Sequence, residues 1–383
     1  MSLADDFKDD IAKSRLGKIN DLLERSGINI DEVGKVEKIK ISEWQGLTKN
    51  EDGDAELHDL NGISIVVSPK WAEGPDWPVI QRGPSIKLPA INKSVEKADS
   101  DWKTAVILPD MQAGYFRMSD DSLTAIHDEN AIDLAVALIK KVKPEVIVMN
   151  GDNADFAELG KYRLTPAFQR TTQATIDYLT VLMFRLRAAS PNAKIIWIEG
   201  NHEARLSNYV LDNAMAAFGL KRGNAPDSWP VLSIPYLCRF DESQIEYLAG
   251  YPASVFWLNN RIKIIHGSKV ASGNSTAHKY LSTEKTSVIY GHIHRREWAE
   301  RTRQDWDGDK TILAASAGCL ARVDGVVPST KGGVDLDGRP LKNTEDWQQG
   351  IAVVTYQEGE SPFHLELVPI RDGQMFYRGN IYS

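Results

Sequence analysis

The stretch Val146-Ile-Val-Met-Asn-Gly-Asp-Asn-Ala-Asp155 decides how this 383-residue chain is read. Val146 to Met149 run apolar without interruption, the mark of a strand buried on both faces. Gly151-Asp152 breaks the run at once, and Asp155 follows. Polar residues just beyond the carboxyl end of a buried strand stand where open α/β sheets bind ligands. The same grammar recurs four times, once upstream and three times downstream. Ala105–Leu108 leads into Asp110-Met-Gln112, and Ile195–Ile198 into Gly200-Asn201-His202-Glu203. Ile262–Ile265 leads into His266-Gly267, and Val288–Tyr290 into Gly291-His292-Ile-His294.

Helical patterns separate these runs. Ile132, Leu134, Ala135, Leu138, Ile139 and Val142 recur at helical spacing after Asn130, and Pro144 stops them. Further helices are expected over Thr172–Ala189 and Ser207–Phe218. Strands alternating with helices imply a layered α/β architecture. Ile312–Ala315, Ala352–Tyr356 and Leu365–Val368 are expected to form a second sheet, giving an α/β sandwich. Residues 1–100 read differently, as a small α+β region. An amphipathic helix (Ile11, Leu16, Ile19, Leu22, Leu23) stops at Gly27, and strands follow over Val36–Trp44 and Gly62–Ser68. An irregular linker rich in Pro and Trp, Trp71–Pro89, leads to the main domain, 101–383.

Composition removes several classes. Hydrophobic residues at 42% and charged residues at 26% are ordinary for a globular chain, which excludes a disordered or collagenous protein. No run reaches the roughly 18 apolar residues of a membrane span. The acidic start, Met1–Asp10, lacks the pattern of a secretory signal. Two cysteines, Cys238 and Cys319, cannot frame a disulfide scaffold, so a cytoplasmic location is expected. Residues 1–100 hold 14 Lys/Arg against 19 Asp/Glu, and the whole chain is −8. Neither part is basic, so any polyanion must be held locally.

The five turns offer Asp, Asn, Gln and His, the oxygen and nitrogen donors that bind divalent metals. Four of the eight histidines lie in them, and cysteine is absent, which argues against a structural zinc site. One Gly-Asp or one His past a strand is ordinarily a turn or a satisfied rim residue. Five in series at the same strand end are not.

On these residues the sequence resembles the calcineurin-like metallophosphoesterases, and more closely their phage-encoded branch. The family order is Asp-x-His, Gly-Asp-x-x-Asp, Gly-Asn-His-Asp/Glu, His-Gly and Gly-His-x-His. The match runs from about Lys103 to Trp298, with the tail to Tyr382 compatible. Four motifs match outright; in the first, Gln112 stands where most members have histidine, and phage-type members with glutamine there exist. The resemblance implies a four-layer α/β/β/α sandwich and two divalent metals. It assigns the first to Asp110, Gln112, a bridging Asp152 and His294, and the second to Asp152, Asn201, His266 and His292. His202 would be catalytic, protonating the leaving oxygen or stabilising phosphoryl charge, with Asp155 accepting from its other ring nitrogen. A glutamine oxygen is a hard donor, favouring Mn²⁺ or Mg²⁺ over Zn²⁺ or Fe.

Further candidates are single residues. Arg205 is a substrate-phosphate contact or a salt-bridge partner of Glu203 or Asp212. His127 faces the pocket or packs. Arg295, with Arg296, and Arg322 are phosphate contacts or solvated charges. Residues 318–348 form a long polar loop of the kind that acts as a lid. The expected function is metal-dependent hydrolysis of phosphate esters, as a phosphodiesterase on nucleotides or single-stranded nucleic acid, in host cytoplasm if phage-encoded. The competing reading is a binding or assembly protein whose residues 1–100 dock a protein partner and whose metal site is vestigial.

Overall fold

Two long strands pair antiparallel near the start of the chain, β1 (Val33–Lys49) and β2 (Ala55–Pro69), with Trp44 opposite Leu60 and Ile41 opposite Ile63. The expected strands are the middles of these two. The computed structural model describes residues 17, 24–27, 33–49, 53–69, 100–160, 166–273, 275–306, 308–327 and 345–383. The expected helix over residues 11–23, apart from Gly17, and the linker Trp71–Pro89 lie outside them. Gly27, its expected stop, has φ +67° and donates its N–H to Glu24 O at 3.0 Å. The chain divides into two units, Met1–Ile86 and Lys87–Ser383.

The second unit is built on two sheets. Its strands are β3 (Lys103–Leu108), β4 (Tyr115–Arg117), β5 (Leu123–Ala125), β6 (Val146–Met149), β7 (Lys194–Ile198), β8 (Ile245–Leu248), β9 (Phe256–Asn259) and β10 (Ile262–Ile265). They continue as β11 (Ser287–Tyr290), β12 (Arg296–Asp305), β13 (Gly308–Ala317), β14 (Gly350–Tyr356), β15 (Phe363–Arg371), β16 (Gln374–Tyr377) and β17 (Asn380–Tyr382). The larger sheet has the order β17-β16-β15-β14-β3-β6-β7-β8, with β3, β6, β7 and β8 parallel. The smaller has the order β12-β13-β11-β10-β9, with β10, β11 and β13 parallel.

Strand alternation sorts the apolar residues into layers. Ile107, Val148 and Ile196 face Ile262, Ile264 and Ile289 of the other sheet. Their neighbours Val106, Leu108, Ile147 and Trp197 face outward onto helices α1 (Glu129–Val142) and α2 (Thr172–Ala189). A third helix, α3 (Ala204–Ala214), starts directly after Glu203. On the far side, Val288, Tyr290 and Ile312 pack on Ala277, Tyr280 and Leu281 of helix α4 (Thr276–Thr283). Each fully buried isoleucine or valine contributes roughly 1.5–3 kcal/mol, so the two interfaces set the fold. The layers run helix, sheet, sheet, helix, the expected sandwich.

The partition of strands differs from expectation. β14 and β15 belong to the larger sheet, because β14 pairs antiparallel with β3, Ala352 opposite Ile107. β10 and β11 belong to the smaller sheet with β13. A run that is apolar on both faces fits either sheet, so its sequence does not choose between them. α1 starts as its residues dictate: the Asp128 side chain accepts from Ala131 N, and Lys143 closes the helix in the left-handed region before Pro144. α3 covers Ala204–Ala214 instead of Ser207–Phe218, with a 3₁₀ turn over Met215–Ala217. Cys238 and Cys319 are buried free thiols. No helix among the described residues is long and apolar enough to cross a membrane.

Candidate metal centre

The turns after β3, β6 and β7 of one sheet meet those after β10 and β11 of the other. Asp110, Gln112, Asp152, His266 and His294 are all buried there. Their donor atoms form two groups, Asp110/Asp152/His294 and Asp152/His266/His292, each within 4.8 Å of one another. Asp152 belongs to both. Its Oδ2 lies 3.3 Å from His266 Nε2 and 3.4 Å from Gln112 Nε2. His294 Nε2 lies 3.2 Å from Asp110 Oδ1, and Asn201 Oδ1 is 3.1 Å from His266 Nε2.

The backbone is bent to achieve this. Asp110, Gln112, Asp152, His292 and His294 have φ of +39°, +50°, +48°, +70° and +57°. Left-handed non-glycine residues cost energy and cluster where a site over-determines them. Two motif glycines are required by close approach. A Cβ on Gly151 would stand 2.5 Å from His266 Nδ1, and one on Gly291 2.5 Å from Asp110 Oδ2. Glu203 completes the frame. Its Oε2 accepts from Asp152 N and Gly200 N at 2.8 Å each, and its Oε1 from Asn153 N at 2.7 Å and Ala154 N at 3.1 Å. Burial and then Asp152 lift this carboxyl to about 7. Four N–H donors nonetheless leave no acceptor for a carboxyl proton, so Glu203 acts as the carboxylate.

The donor set fits divalent cations. Burial works against charge at His266, yet Asp152 and then Asp110 push this imidazole up to about 10, so the centre draws a positive charge into itself. Burial alone would raise Asp152, but His202 and His266 hold it well below the carboxylate range. His266 Nδ1 lies 2.8 Å from the Asn150 carbonyl, which turns Nε2 toward the centre. Gln112 Oε1, His292 Nδ1 and His294 Nδ1 are buried without a hydrogen-bond partner. Orphaned oxygen and nitrogen donors around two carboxylates, with no thiol among them, suit a divalent cation.

His202 stands beside the groups, its Nε2 3.7 Å from Asp152 Oδ2. Burial lowers its affinity for a proton, but Asp152 and Asp155 outweigh that and raise it above the histidine norm. Its Nδ1 lies between two acceptors of Asp155, the main-chain carbonyl at 2.9 Å and the expected carboxylate, whose Oδ1 is at 3.3 Å. The Asp155 N–H, donated to Ala113 O at 2.8 Å, fixes the carbonyl in place. Arg205 is drawn into the same cluster instead of pairing with Glu203 or Asp212. Its Nη1 donates to Asp155 O at 2.6 Å, and its Nη2 lies 2.9 Å from His202 Nε2.

The other candidates are engaged elsewhere. His127 is 2% exposed, packed on Tyr115 and Tyr178, with Nδ1 against the Gly114 backbone. A ring so enclosed packs and does not meet substrate. Arg295 bonds Glu297, the Ala271 carbonyl and Thr276 Oγ1. Arg296 Nη2 donates to Leu367 O. Arg322 pairs with Asp324 and donates to Ala125 O at 2.9 Å. These cations answer internal acceptors, which is why they are not aimed at the centre. The middle of the 318–348 loop, residues 328–344, lies outside the described residues.

Two rings beside the centre were missed. Tyr251 is partly exposed against His266, centroids 5.8 Å apart, and Trp347 lies against His294 at 4.1 Å. Burial and then Asp152 raise the Tyr251 hydroxyl above its usual value. Tyr251 follows β8, another strand end of the larger sheet, and that is the signal that could have found it. Trp347 had none.

The sequence model of the calcineurin-like phosphoesterases matches residues 107–313, more than half of the chain. Among solved structures, Yfce, a phosphoesterase from E. coli, is similar at 10% identity with a TM-score of 0.27, covering 66% of this chain and 91% of that one, a likeness too slight to argue from. No curated protein matches. With the family order realised as two donor groups around Asp152, the chain belongs to the calcineurin-like phosphoesterases and is a metal-dependent phosphoester hydrolase.

Proposed function

We propose that the chain is a phosphodiesterase acting on nucleotide-sized or single-stranded phosphodiesters, with two divalent cations, Mn²⁺ favoured. The observation that carries this is Asp152, one carboxylate common to two donor groups at converging strand ends. Asp110, Gln112, Asp152 and His294 would hold one ion, and Asp152, Asn201, His266 and His292 the other. When bound, such a pair supplies Lewis acidity for phosphoryl oxygens and a lowered water pKa.

The chain's own groups do the rest. Asp110 and Asp152 neutralise only part of the cation charge, leaving the hole attractive to phosphate. His202 has Nδ1 tied to the Asp155 carbonyl and Nε2 accepting from Arg205 Nη2, so it can carry a proton to the leaving oxygen once Arg205 turns from Nε2 to the phosphate. Arg205 adds a cation for a non-bridging oxygen. The net charge of −8 argues against long duplex DNA, whose binding rests on many Lys/Arg–phosphate contacts.

The test is to strip the protein with a chelator and reload it with Mn²⁺, Mg²⁺ or Zn²⁺ singly. Turnover of bis-p-nitrophenyl phosphate, cyclic nucleotides, oligonucleotides and phosphomonoesters is then compared. Diester turnover strongest with Mn²⁺ is expected. Monoester-only turnover would overturn the diester assignment, and no turnover with any metal would favour the vestigial-site reading.

A further inference from the structure

Tyr251 and Trp347 have no part in holding cations, yet each is fixed firmly beside one donor group. Tyr251 is set by a buried carboxylate: Glu199 Oε2 accepts from Tyr251 N at 2.8 Å and from Gly250 N at 2.6 Å, and Glu199 Oε1 accepts from Tyr247 Oη at 3.1 Å. Among the described residues the Tyr251 hydroxyl has no hydrogen bond, although a tyrosine hydroxyl near a polar centre ordinarily finds one. Trp347 is set by its neighbour. Gln348 N donates to His294 O at 3.0 Å, Gln348 O accepts from Cys319 N at 3.0 Å, and Gln348 Oε1 accepts from Arg296 N at 3.1 Å. The Trp347 ring stands at 79° to His294 and rests on the small apolar cluster of Cys319, Ala321 and Val327. Both rings are partly exposed, pre-positioned by backbone, and placed against a histidine of each donor group.

We infer that Tyr251 and Trp347 are the walls of the substrate subsite and that the centre selects phosphodiesters bearing planar aromatic groups, nucleobases above all, over alkyl diesters. This rests on the phosphodiesterase reading and names its substrate class. Every base presents a π-face, and stacking on aromatic side chains is strong and sequence-tolerant. Two rings suit a diester better than a monoester. Tyr251 stands by the Asp152/His266/His292 group and Trp347 by the Asp110/Asp152/His294 group, so the two ester arms of one phosphate each meet a wall.

The test uses the full chain loaded with Mn²⁺ and two substrates, a dinucleoside monophosphate and glycerophosphoethanolamine. The readout is the ratio of their kcat/KM values. Tyr251→Leu and Trp347→Leu should each lower that ratio about 5- to 100-fold, the range that loss of one stacked base produces, chiefly through KM. Tyr251→Phe and Trp347→Phe keep a π-face and should hold the ratio near wild type; they also guard against a misfolded leucine variant. Equal loss on both substrates, with the ratio unchanged, would mean that the rings only brace His266 and His294, and would overturn the inference. If the wild type turns over no diester, the phosphodiesterase reading fails. Dinucleotide binding then still decides the inference: quenching of tryptophan fluorescence that is present in the wild type and lost in Trp347→Leu supports it, and its absence from the wild type overturns it.

Discussion

The two donor groups share Asp152 but are completed in opposite ways. In the group of His266 that ring is already set, with Nδ1 tied to the Asn150 carbonyl and Nε2 meeting Asp152 and Asn201, while His292 Nδ1 is buried without a partner. Around His294 the arrangement is unfinished. The Gln112 amide turns Nε2 toward Asp152 and His294, while its Oε1 and His294 Nδ1 are buried without partners. An amide turned half over would present oxygen to the same atoms, since the two ends differ little in shape. Donor identities alone make the two groups look equal. Their supporting contacts give one group a held His266 ring and make the other dependent on a Gln112 side-chain turn, so the two should differ in metal affinity.

The harshest way to break this comparison is Asp152→Asn, which removes the charge common to both groups. Metal content should fall at both groups and turnover should vanish; full metal content with near-native rates would remove Asp152 from the bridging position. Next is His202→Ala, which leaves both groups intact. Metal content should hold while the rate drops about 10²–10⁴-fold, less for a p-nitrophenolate leaving group that needs no proton. Equal loss on good and poor leaving groups would make His202 a charge stabiliser instead. Gln112→Ala should touch one group only, weakening the lower-affinity step of an Mn²⁺ titration at least about tenfold and leaving the tighter step in place. Gln112→His should tighten that same step and broaden metal use. An unchanged titration in Gln112→Ala would take Gln112 out of the shell.

The mildest probe is His127, buried outside both groups. Burial lowers its pKa from 6.5 to about 4. Between those values the unfolded chain binds more protons than the folded one, so this part of the stability is present above 6.5 and lost as pH falls through 4. His127→Gln should leave the Mn²⁺ titration unchanged, and its urea midpoint should depend less steeply on pH between 6.5 and 4 than that of the wild type. A shifted Mn²⁺ midpoint would instead place His127 in the metal shell.

What could be read in advance was local. Val146–Met149 followed by Gly151-Asp152 carries its strand and its turn in one stretch, and the other four turns behave alike. What escaped depends on distant chain. Ile245-Glu-Tyr-Leu248 has no apolar run, so β8 and the Tyr251 beyond it stayed hidden, although β8 pairs with β7 at Trp197–Tyr247. Trp347 reaches His294 only because Gln348 is pinned to it. His127, Arg295 and Arg322 carried the right chemistry, but the Gly114 backbone, the Ala271 carbonyl and the Ala125 carbonyl that engage them are brought in by tertiary placement. The left-handed backbone of Asp110, Asp152 and His292 has no residue signature, since only glycine announces itself there.

Glu203 has a consequence that can be watched proton by proton. Surface turns normally exchange their amide hydrogens quickly, because nothing but water holds them. The N–H groups of Gly200, Asp152, Asn153 and Ala154 all end on one carboxylate. They cannot open one at a time without leaving part of that charge bare in the interior. In deuterated water these four amides, from turns at the ends of β6 and β7, should therefore exchange late and at a common rate, two distant pieces of chain keeping a single clock. In Glu203→Gln the clock should split into separate, faster exchanges.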